Sequence, residues 1–123
     1  MTREQQAALK VAMGFLNHYA ERDIESLMDD MATSNPLFMM GTNDNEVFKS
    51  IRSIRAAFKK DFQNMDNIRW GKRRNVHVQA APFLASVIIE MPISYQSAGK
   101  KIKTLFRYAL TLKKERGKWK ICS

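Results

Sequence analysis

The second half of the chain alternates apolar and polar residues with a period of two, which is typical of β-strands that bury one face. A hairpin turn at residues 97–100 brings the two halves of this pattern together. The facing pairs on one side are then mostly apolar: Val87 with Leu110, Ile89 with Tyr108, Met91 with Phe106, and Tyr95 with Ile102. Because a slip by one residue would exchange the two faces, this register predicts a long antiparallel hairpin with one buried face.

Two further turns extend this sheet. A turn at residues 116–117 predicts a last strand, in which Ile121 faces Leu112 and Trp119 shares the inner face. A turn at residues 81–83 predicts three more pairs: Val76 with Val87, Val78 with Ala85, and Arg73 with Glu90. With Arg107 on its other side, Glu90 stays ionised, so we interpret it as part of a structural cluster rather than as a general base.

The first half of the chain has the 3.6-residue period of amphipathic helices. The first helix has one apolar face: Leu9, Ala12, Met13, Leu16, Tyr19 and Ala20. Asp23 and Ser50 are the predicted N-caps of a second and a third helix, and the apolar segment 37–41 between them is a predicted strand. The sequence therefore predicts a single α+β domain over residues 1–123, with three N-terminal helices packed on a curved antiparallel sheet.

The composition restricts the chemistry that is available to the chain. Cys122 is the only cysteine, which excludes an intramolecular disulfide and a thiolate zinc site within one chain. His18 and His77 are the only histidines, and both fall on polar faces of their elements. We therefore expect no metal and no cofactor. The sequence also has no apolar stretch of membrane-spanning length and no secretory signal pattern, so we expect a cytoplasmic protein.

The formal net charge of +9 is concentrated near the C-terminus. Single-stranded nucleic acids are bound by basic and aromatic side chains on one surface. The predicted register separates the two classes, because Phe106, Tyr108 and Trp119 point inward while lysines such as Lys113 and Lys120 point outward. Nucleic acid is therefore not an expected partner. Lys113 faces Lys120, and an anion or the carboxylate of a partner could offset that repulsion.

Four segments resemble, in order, motifs of the NTF2-like superfamily and of its SnoaL-like domains: "FLNHYAERD", "GTNDNE", "KSIRSIR" and "GKWKICS". The resemblance implies a conical α+β roll with a pocket between helices and sheet, and homodimers that form through the outer face of the sheet. The superfamily includes ketosteroid isomerases, polyketide cyclases, dehydratases and transport factors. This chain has Phe15, Met39 and Met40 where ketosteroid isomerases carry a tyrosine and the aspartate base, and none of these side chains moves a proton.

The candidate site follows from the polar and aromatic residues of the predicted inner face. Seven residues are the predicted ligand-binding set: Phe15, Tyr19, Met39, Met91, Phe106, Tyr108 and Trp119. The candidates for acid-base chemistry are Tyr19, Tyr108 and Asp44, the last in the loop that also holds Glu46. The alternative is that the aromatic residues only fill the core and that Asp44 is a turn residue.

Two functions of different classes fit this sequence. The first is binding of a small apolar or aromatic molecule between helices and sheet, with a lyase, isomerase or cyclase reaction if the protein is an enzyme. The second is a non-catalytic interaction module whose basic outer sheet face binds an acidic partner or nucleic acid.

Overall fold

The computed structural model describes residues 1–34, 36–41 and 45–123. Its elements, in chain order, are α1 (Arg3–Ala20), α2 (Ile24–Asp30), β1 (Met39–Met40), β2 (Val47–Phe48), α3 (Ile51–Asn64), β3 (Asp66–Trp70), β4 (Asn75–Ala80), β5 (Leu84–Ser97), β6 (Lys100–Glu115) and β7 (Lys118–Ile121). Three helices pack on one strongly curled antiparallel sheet, which confirms the predicted α+β roll. Within the described residues, no helix is both long enough and apolar enough to cross a membrane.

Side chains cap the helices, and the predicted N-caps of α2 and α3 are confirmed. Asp23 accepts a hydrogen bond from the backbone N–H of Ser26 at the start of α2, and Ser50 accepts one from Ser53 at the start of α3. Thr2 and Gln5 form a reciprocal capping box on α1. These bonds satisfy backbone donors that have no partner within the helix, and so they fix where each helix begins.

The main sheet has the strand order β3-β5-β6-β7, and β4 also pairs with β5. The predicted β5–β6 register is confirmed, from Leu84 opposite Lys113 to Ser97 opposite Lys100. The predicted pairing of Leu112 with Ile121 is also confirmed. In both hairpins the two turn residues have positive φ angles, and the second of them is a glycine. Such turns match the twist of the strands that they join, which explains why register could be read from the sequence.

The predicted register of β4 is wrong by two residues. Val76 faces Ile89 and Val78 faces Val87, and Asn75, not Arg73, faces Glu90. The turn after β4 is shorter than the predicted 81–83, because the Ala81 N–H donates to the Leu84 carbonyl and only Pro82 and Phe83 lie between them. A shift by two residues keeps every side chain on its predicted face, so the hydrophobic pattern alone did not reveal the error.

The core lies between the concave face of the sheet and the helices. Ala8 and Ala12 are fully buried on α1, where their small side chains allow close approach to the sheet. They face a sheet core whose most buried members are Val87, Ile89, Met91, Ile93, Leu112 and Ile121. The segment after α2 joins the same layer, because Met31 forms a parallel bridge with Ile121 and the Ala32 N–H donates to the Ile121 carbonyl.

Candidate functional site

A tyrosine and an aspartate meet where α1 and α3 pack together. The Tyr19 hydroxyl donates a hydrogen bond to Oδ2 of Asp61 at 2.8 Å, and the Sδ atom of Met65 lies 3.4 Å from the same hydroxyl. Both Tyr19 and Asp61 are half-buried. A carboxylate held by a phenol in partly dehydrated surroundings has the composition of an acid-base site.

Aromatic rings surround this pair, and we call them the aromatic cluster: Phe15, Tyr19, Phe58, Phe62, Trp70, Phe106 and Tyr108. The ring centroids of Tyr19 and Phe62 are 5.2 Å apart, and those of Trp70 and Tyr108 are 5.5 Å apart in an edge-to-face arrangement. The indole N–H of Trp70 donates to the Leu16 carbonyl at 2.6 Å, which ties β3 to α1. The cluster therefore joins two helices and two strands around the Asp61 carboxylate.

Burial sets the protonation of the three polar groups in the cluster. Burial raises the pKa of Tyr19, and the charge of Asp61 adds to that rise. Burial and the same charge also raise the pKa of Tyr108. Burial raises the pKa of Asp61 above its ordinary value; the hydrogen bond from Tyr19 lowers it, and the charge of Glu46 raises it further. The phenols therefore remain protonated donors, and Asp61 is a stronger base than an exposed carboxylate.

The structure brings four of the predicted site residues together. Tyr19, Tyr108, Phe106 and Phe15 all belong to the aromatic cluster, in which the Phe106 and Tyr108 centroids are 5.8 Å apart. Met91 is fully buried in the sheet core, and Met39 is half-buried in β1. Asp44, the third predicted acid-base candidate, lies outside the described residues.

Trp119 lies in a different part of the core. It faces Lys114, whose ammonium group is 5.1 Å from the centroid of the indole. Lys114 lies six positions beyond Tyr108 in β6, which amounts to about 20 Å along the strand at roughly 3.3 Å per residue. The predicted register gave Trp119 the correct face but not its distance along β6 from Tyr108. Trp119 therefore does not belong to the candidate site.

Sequence reasoning missed Asp61, Trp70, Phe58 and Phe62 as site residues. The signal for Asp61 was nevertheless present. The apolar face of α3 contains Ile54 and Phe58, and Asp61 follows them by seven and three residues, so it occupies an apolar position of the helix. An acidic residue at such a position requires a partner, and Tyr19 provides one.

The Glu90 cluster on the outer face of the sheet differs from the predicted one. Arg107 Nε donates to one carboxylate oxygen at 2.6 Å, and the Asn75 amide donates to the other at 3.0 Å. Hydrogen bonds from Arg107 and Asn75 lower the pKa of Glu90, in agreement with the expectation that it stays ionised. Because the register of β4 differs from the predicted one, Asn75 and not Arg73 is the cross-strand neighbour of Glu90.

The two facing lysines of the basic face both donate hydrogen bonds to backbone carbonyls of the same chain. Lys113 faces Lys120, as predicted. The Lys113 ammonium donates to the Ser34 carbonyl, and the Lys120 ammonium donates to the Asp29 carbonyl in the last turn of α2. A cation at the carboxyl end of a helix is favourable. No external anion is needed to offset the repulsion between them, which removes the main argument for a partner at this position.

A histidine and a carboxylate form another pair, between α1 and α2. His18 Nδ1 lies 2.7 Å from Oδ2 of Asp30, so the pair joins the end of α1 to the end of α2. Burial raises the pKa of Asp30, while the hydrogen bond with His18 lowers it. Among the residues that the structure describes, no group of three or more histidine, cysteine, aspartate and glutamate side chains is placed to hold a metal ion.

Comparisons with known proteins agree with this fold. A model of the SnoaL-like domain family matches residues 9–123. The structure superimposes on a ketosteroid isomerase-like protein from Erwinia carotovora atroseptica with a TM-score of 0.84 and 14% identity, covering 99% of this chain and 93% of that one. It matches a provisionally assigned dehydratase of the NTF2-like family from Streptomyces avermitilis with a TM-score of 0.82 and 15% identity, covering 96% and 90%.

A provisionally assigned scytalone dehydratase from Novosphingobium aromaticivorans has a TM-score of 0.80 and 12% identity, with 97% of this chain and 79% of that chain covered. A comparison with curated proteins found no match. The family match and these structural likenesses confirm the NTF2-like, SnoaL-like fold that the sequence motifs indicated. At such low identity the structures support the fold alone, and the chemistry has to be argued from the site.

Proposed function

Because this chain belongs to the SnoaL-like domain family, we propose that it binds a small, uncharged, apolar or aromatic molecule at the aromatic cluster and transfers a proton through Asp61. The observation that supports this proposal most directly is the 2.8 Å hydrogen bond from the Tyr19 hydroxyl to Asp61 inside that cluster. An unpartnered carboxylate in an apolar setting would be costly, and the tyrosine orients it at modest cost.

The charge of the site favours a neutral ligand. Asp61 and Glu46 are close enough for the charge of Glu46 to raise the pKa of Asp61. A carboxylate or phosphate placed at Asp61 would meet both negative charges in a poorly hydrated environment, where repulsion is strong. A neutral carbonyl or hydroxyl compound with an aromatic or alicyclic body meets no such penalty and packs against the rings.

Proton abstraction next to a carbonyl group is the reaction that this set of residues supports. Asp61 takes a proton from the carbon next to the carbonyl, and the electron pair of the broken C–H bond moves into the carbonyl to form an enolate. The Tyr108 hydroxyl, which burial keeps protonated, donates to the enolate oxygen. Returning the proton to another carbon of a conjugated enolate gives an isomer. In a β-hydroxy compound the enolate instead expels the hydroxyl group, which takes the proton back from Asp61 and leaves as water, and a carbon–carbon double bond forms.

Deuterium exchange tests this chemistry without knowledge of the natural substrate. We expect the protein to accelerate the incorporation of deuterium next to the carbonyl of 1-tetralone, a bicyclic aromatic ketone, in D₂O, as followed by ¹H NMR. Asp61→Asn removes the base and should lower the protein-dependent rate by about 100-fold or more, the usual contribution of a general base.

The control for this experiment is Asp29→Asn, which removes an equal charge from an exposed position and should leave the rate within twofold. Tyr108→Phe should lower the rate without abolishing it, because it removes a donor and not the base. Equal rates for the wild type and the Asp61→Asn variant, with both proteins folded by circular dichroism, would contradict the proposal.

A further inference from the structure

The outer face of the sheet carries a cavity of about 440 Å³ that is separate from the acid-base pair. It lies where β3, β5 and β6 run side by side, and its size falls within the usual range of small-molecule pockets. Its lining comes from these strands and from the residues that follow β3: Arg69, Trp70, Gly71, Arg74, Pro92, Ile93, Ser94, Lys103, Thr104 and Leu105.

One row of residues across the three strands is cationic, and we call it the cationic row: Arg69, Ser94 and Lys103. Ser94 pairs with Arg69 on one side and with Lys103 on the other, so the three share the outer face. Neighbouring strands are about 4.8 Å apart, which places the backbones of Arg69 and Lys103 about 10 Å apart. Both long side chains can therefore reach one anion above Ser94.

The positive charges of this cavity have no ion-pair partner in the described part of the chain. None of the ion pairs there involves Arg69, Arg74 or Lys103. Glu90 interacts electrostatically with Arg74, but its carboxylate is hydrogen-bonded to Arg107 and Asn75. Among the residues that the structure describes, no aspartate or glutamate lines the cavity. Three cations around one concave surface therefore give a site with a positive potential.

The next row along the same strands is apolar, and we call it the apolar row: Gly71, Pro92 and Leu105. The Gly71 N–H donates to the Pro92 carbonyl at 2.8 Å, and Pro92 pairs with Leu105. A Cβ atom at position 71 would lie 3.1 Å from the Pro92 ring. Glycine at this position therefore leaves one face of the proline uncovered, beside the cationic row.

We propose that this cavity binds a small organic anion in which a carboxylate is attached to an aromatic or other apolar body. The carboxylate contacts Arg69, Lys103 and the Ser94 hydroxyl, and the body lies on Pro92 and Leu105. Neither row alone would select such a molecule, since inorganic anions need only the cations and neutral aromatics need only the apolar surface. This site does not depend on the proton-transfer reaction, for which the chain uses Asp61.

The test uses 2-naphthoate as the probe and 2-naphthamide as its neutral counterpart, with binding to the full chain followed by calorimetry and by ¹H–¹⁵N NMR at 0.15 M NaCl. We expect saturable binding of 2-naphthoate with shift changes at Ser94 and Leu105, and binding of 2-naphthamide at least tenfold weaker. The double variant Arg69→Gln, Lys103→Gln should weaken the binding of 2-naphthoate at least tenfold.

A matched control removes two charges elsewhere. Arg116→Gln with Lys118→Gln changes two exposed residues beside the β6–β7 turn and should leave the affinity within twofold. Equal losses in the two double variants, or no binding by the wild type, would overturn the proposal. A hexaglutamate peptide that binds to the same residues more tightly than 2-naphthoate does, and displaces it, would also overturn the proposal. That result would assign the cations to an acidic protein partner.

The Asp61→Asn variant separates this proposal from the proposed function. It removes the base of the acid-base pair and leaves every residue of the cavity unchanged, so 2-naphthoate should bind to it with wild-type affinity. Loss of deuterium exchange with retention of this binding would support both proposals. Tighter binding of 2-naphthoate to Asp61→Asn would place the probe at the aromatic cluster, where the Asp61 charge repels an anion, and would contradict the outer site.

Discussion

Asp61 is an acidic side chain at an apolar position of an amphipathic helix. Its burial affects both the stability of the folded protein and the basicity of the carboxylate. Burial disfavours its charged form, which destabilises the folded protein and also makes the carboxylate more basic. Tyr19 reduces this cost with a single hydrogen bond. Residues that impair stability while supporting chemistry are a recurrent property of active sites.

The first prediction follows from the raised pKa of Asp61. Asp61→Asn keeps an oxygen that can accept from Tyr19 but removes the buried charge, so it should increase the free energy of unfolding at pH 7 by about 1 kcal/mol. The folded protein holds the Asp61 proton more tightly than the unfolded chain, so wild-type stability falls as pH rises from the unfolded pKa to the folded pKa. The advantage of the variant should therefore shrink when urea unfolding is repeated at pH 3.

Asp29→Asn is the control, because Asp29 is exposed and the change of charge is the same. Its effect should be small at both pH values. A lower stability of Asp61→Asn at pH 7 would show that the carboxylate stabilises the fold, contrary to the prediction.

At the level of elements, the end of β6 holds the loop after α2 in place. The Glu115 carboxylate accepts hydrogen bonds from the backbone N–H groups of Thr33 and Ser34 and from both of their hydroxyls. Desolvation opposes the ionised form, but the bonds from Ser34 and Thr33 outweigh it and lower the pKa of Glu115 to about 2. One charged side chain thereby fixes the segment that leads from α2 toward β1.

The second prediction concerns this carboxylate. Glu115→Gln should destabilise the protein at pH 7 by about 2 kcal/mol, the usual size for hydrogen bonds to a charged group. Because the folded pKa is depressed, the contribution of Glu115 is fully present above the unfolded pKa of roughly 4.3 and is lost as pH falls toward 2. Unfolding by urea at pH 7 and pH 3 should show the difference between wild type and variant decreasing.

Glu21→Gln provides the comparison, since Glu21 is exposed at the end of α1. We expect it to change the stability by less than about 0.5 kcal/mol, as surface substitutions usually do. A pH-independent difference between the wild type and Glu115→Gln would contradict the assignment of the effect to the ionised carboxylate.

At the level of the whole molecule, the outer face of the sheet carries exposed apolar residues beyond the cavity. Ile88 is 43% exposed and lies between His77 and Ala109 in the sheet. Leu84, the first residue of β5, and Phe83, which precedes it in the turn, are also exposed. Large exposed apolar side chains that lie close together often belong to interfaces. This is consistent with the homodimer through the outer face that the family resemblance implies.

The third prediction is that the protein forms a dimer with twice the 14.2 kDa mass of the chain, as measured by native mass spectrometry. Ile88→Arg places a charge in the centre of the proposed interface and should shift the protein to monomer. Val47→Arg changes an equally exposed apolar residue on β2 and should leave the dimer intact. A monomeric wild type at micromolar concentration would rule out the interface.

The sequence determined the features that depend on local rules. Hairpin turns with a glycine at the second position fixed the registers around Gly99 and Gly117, because few backbone conformations fit such turns. Asp23 and Ser50 fixed the starts of two helices through bonds to residues three positions away. The α+β class followed from these elements, since the apolar face of each element has to be covered by another.

Only the tertiary structure decided which residues form the candidate site and in which register β4 pairs with β5. The turn before Leu84 lacks a glycine that would restrict its length, so the register of β4 depended on packing and not on turn chemistry. Tyr19 and Asp61 are 42 residues apart, and their contact depends on how α1 and α3 pack on the curled sheet. Periodicity identifies the face on which a residue lies, but the choice of its partner depends on distances between elements, which no local pattern contains.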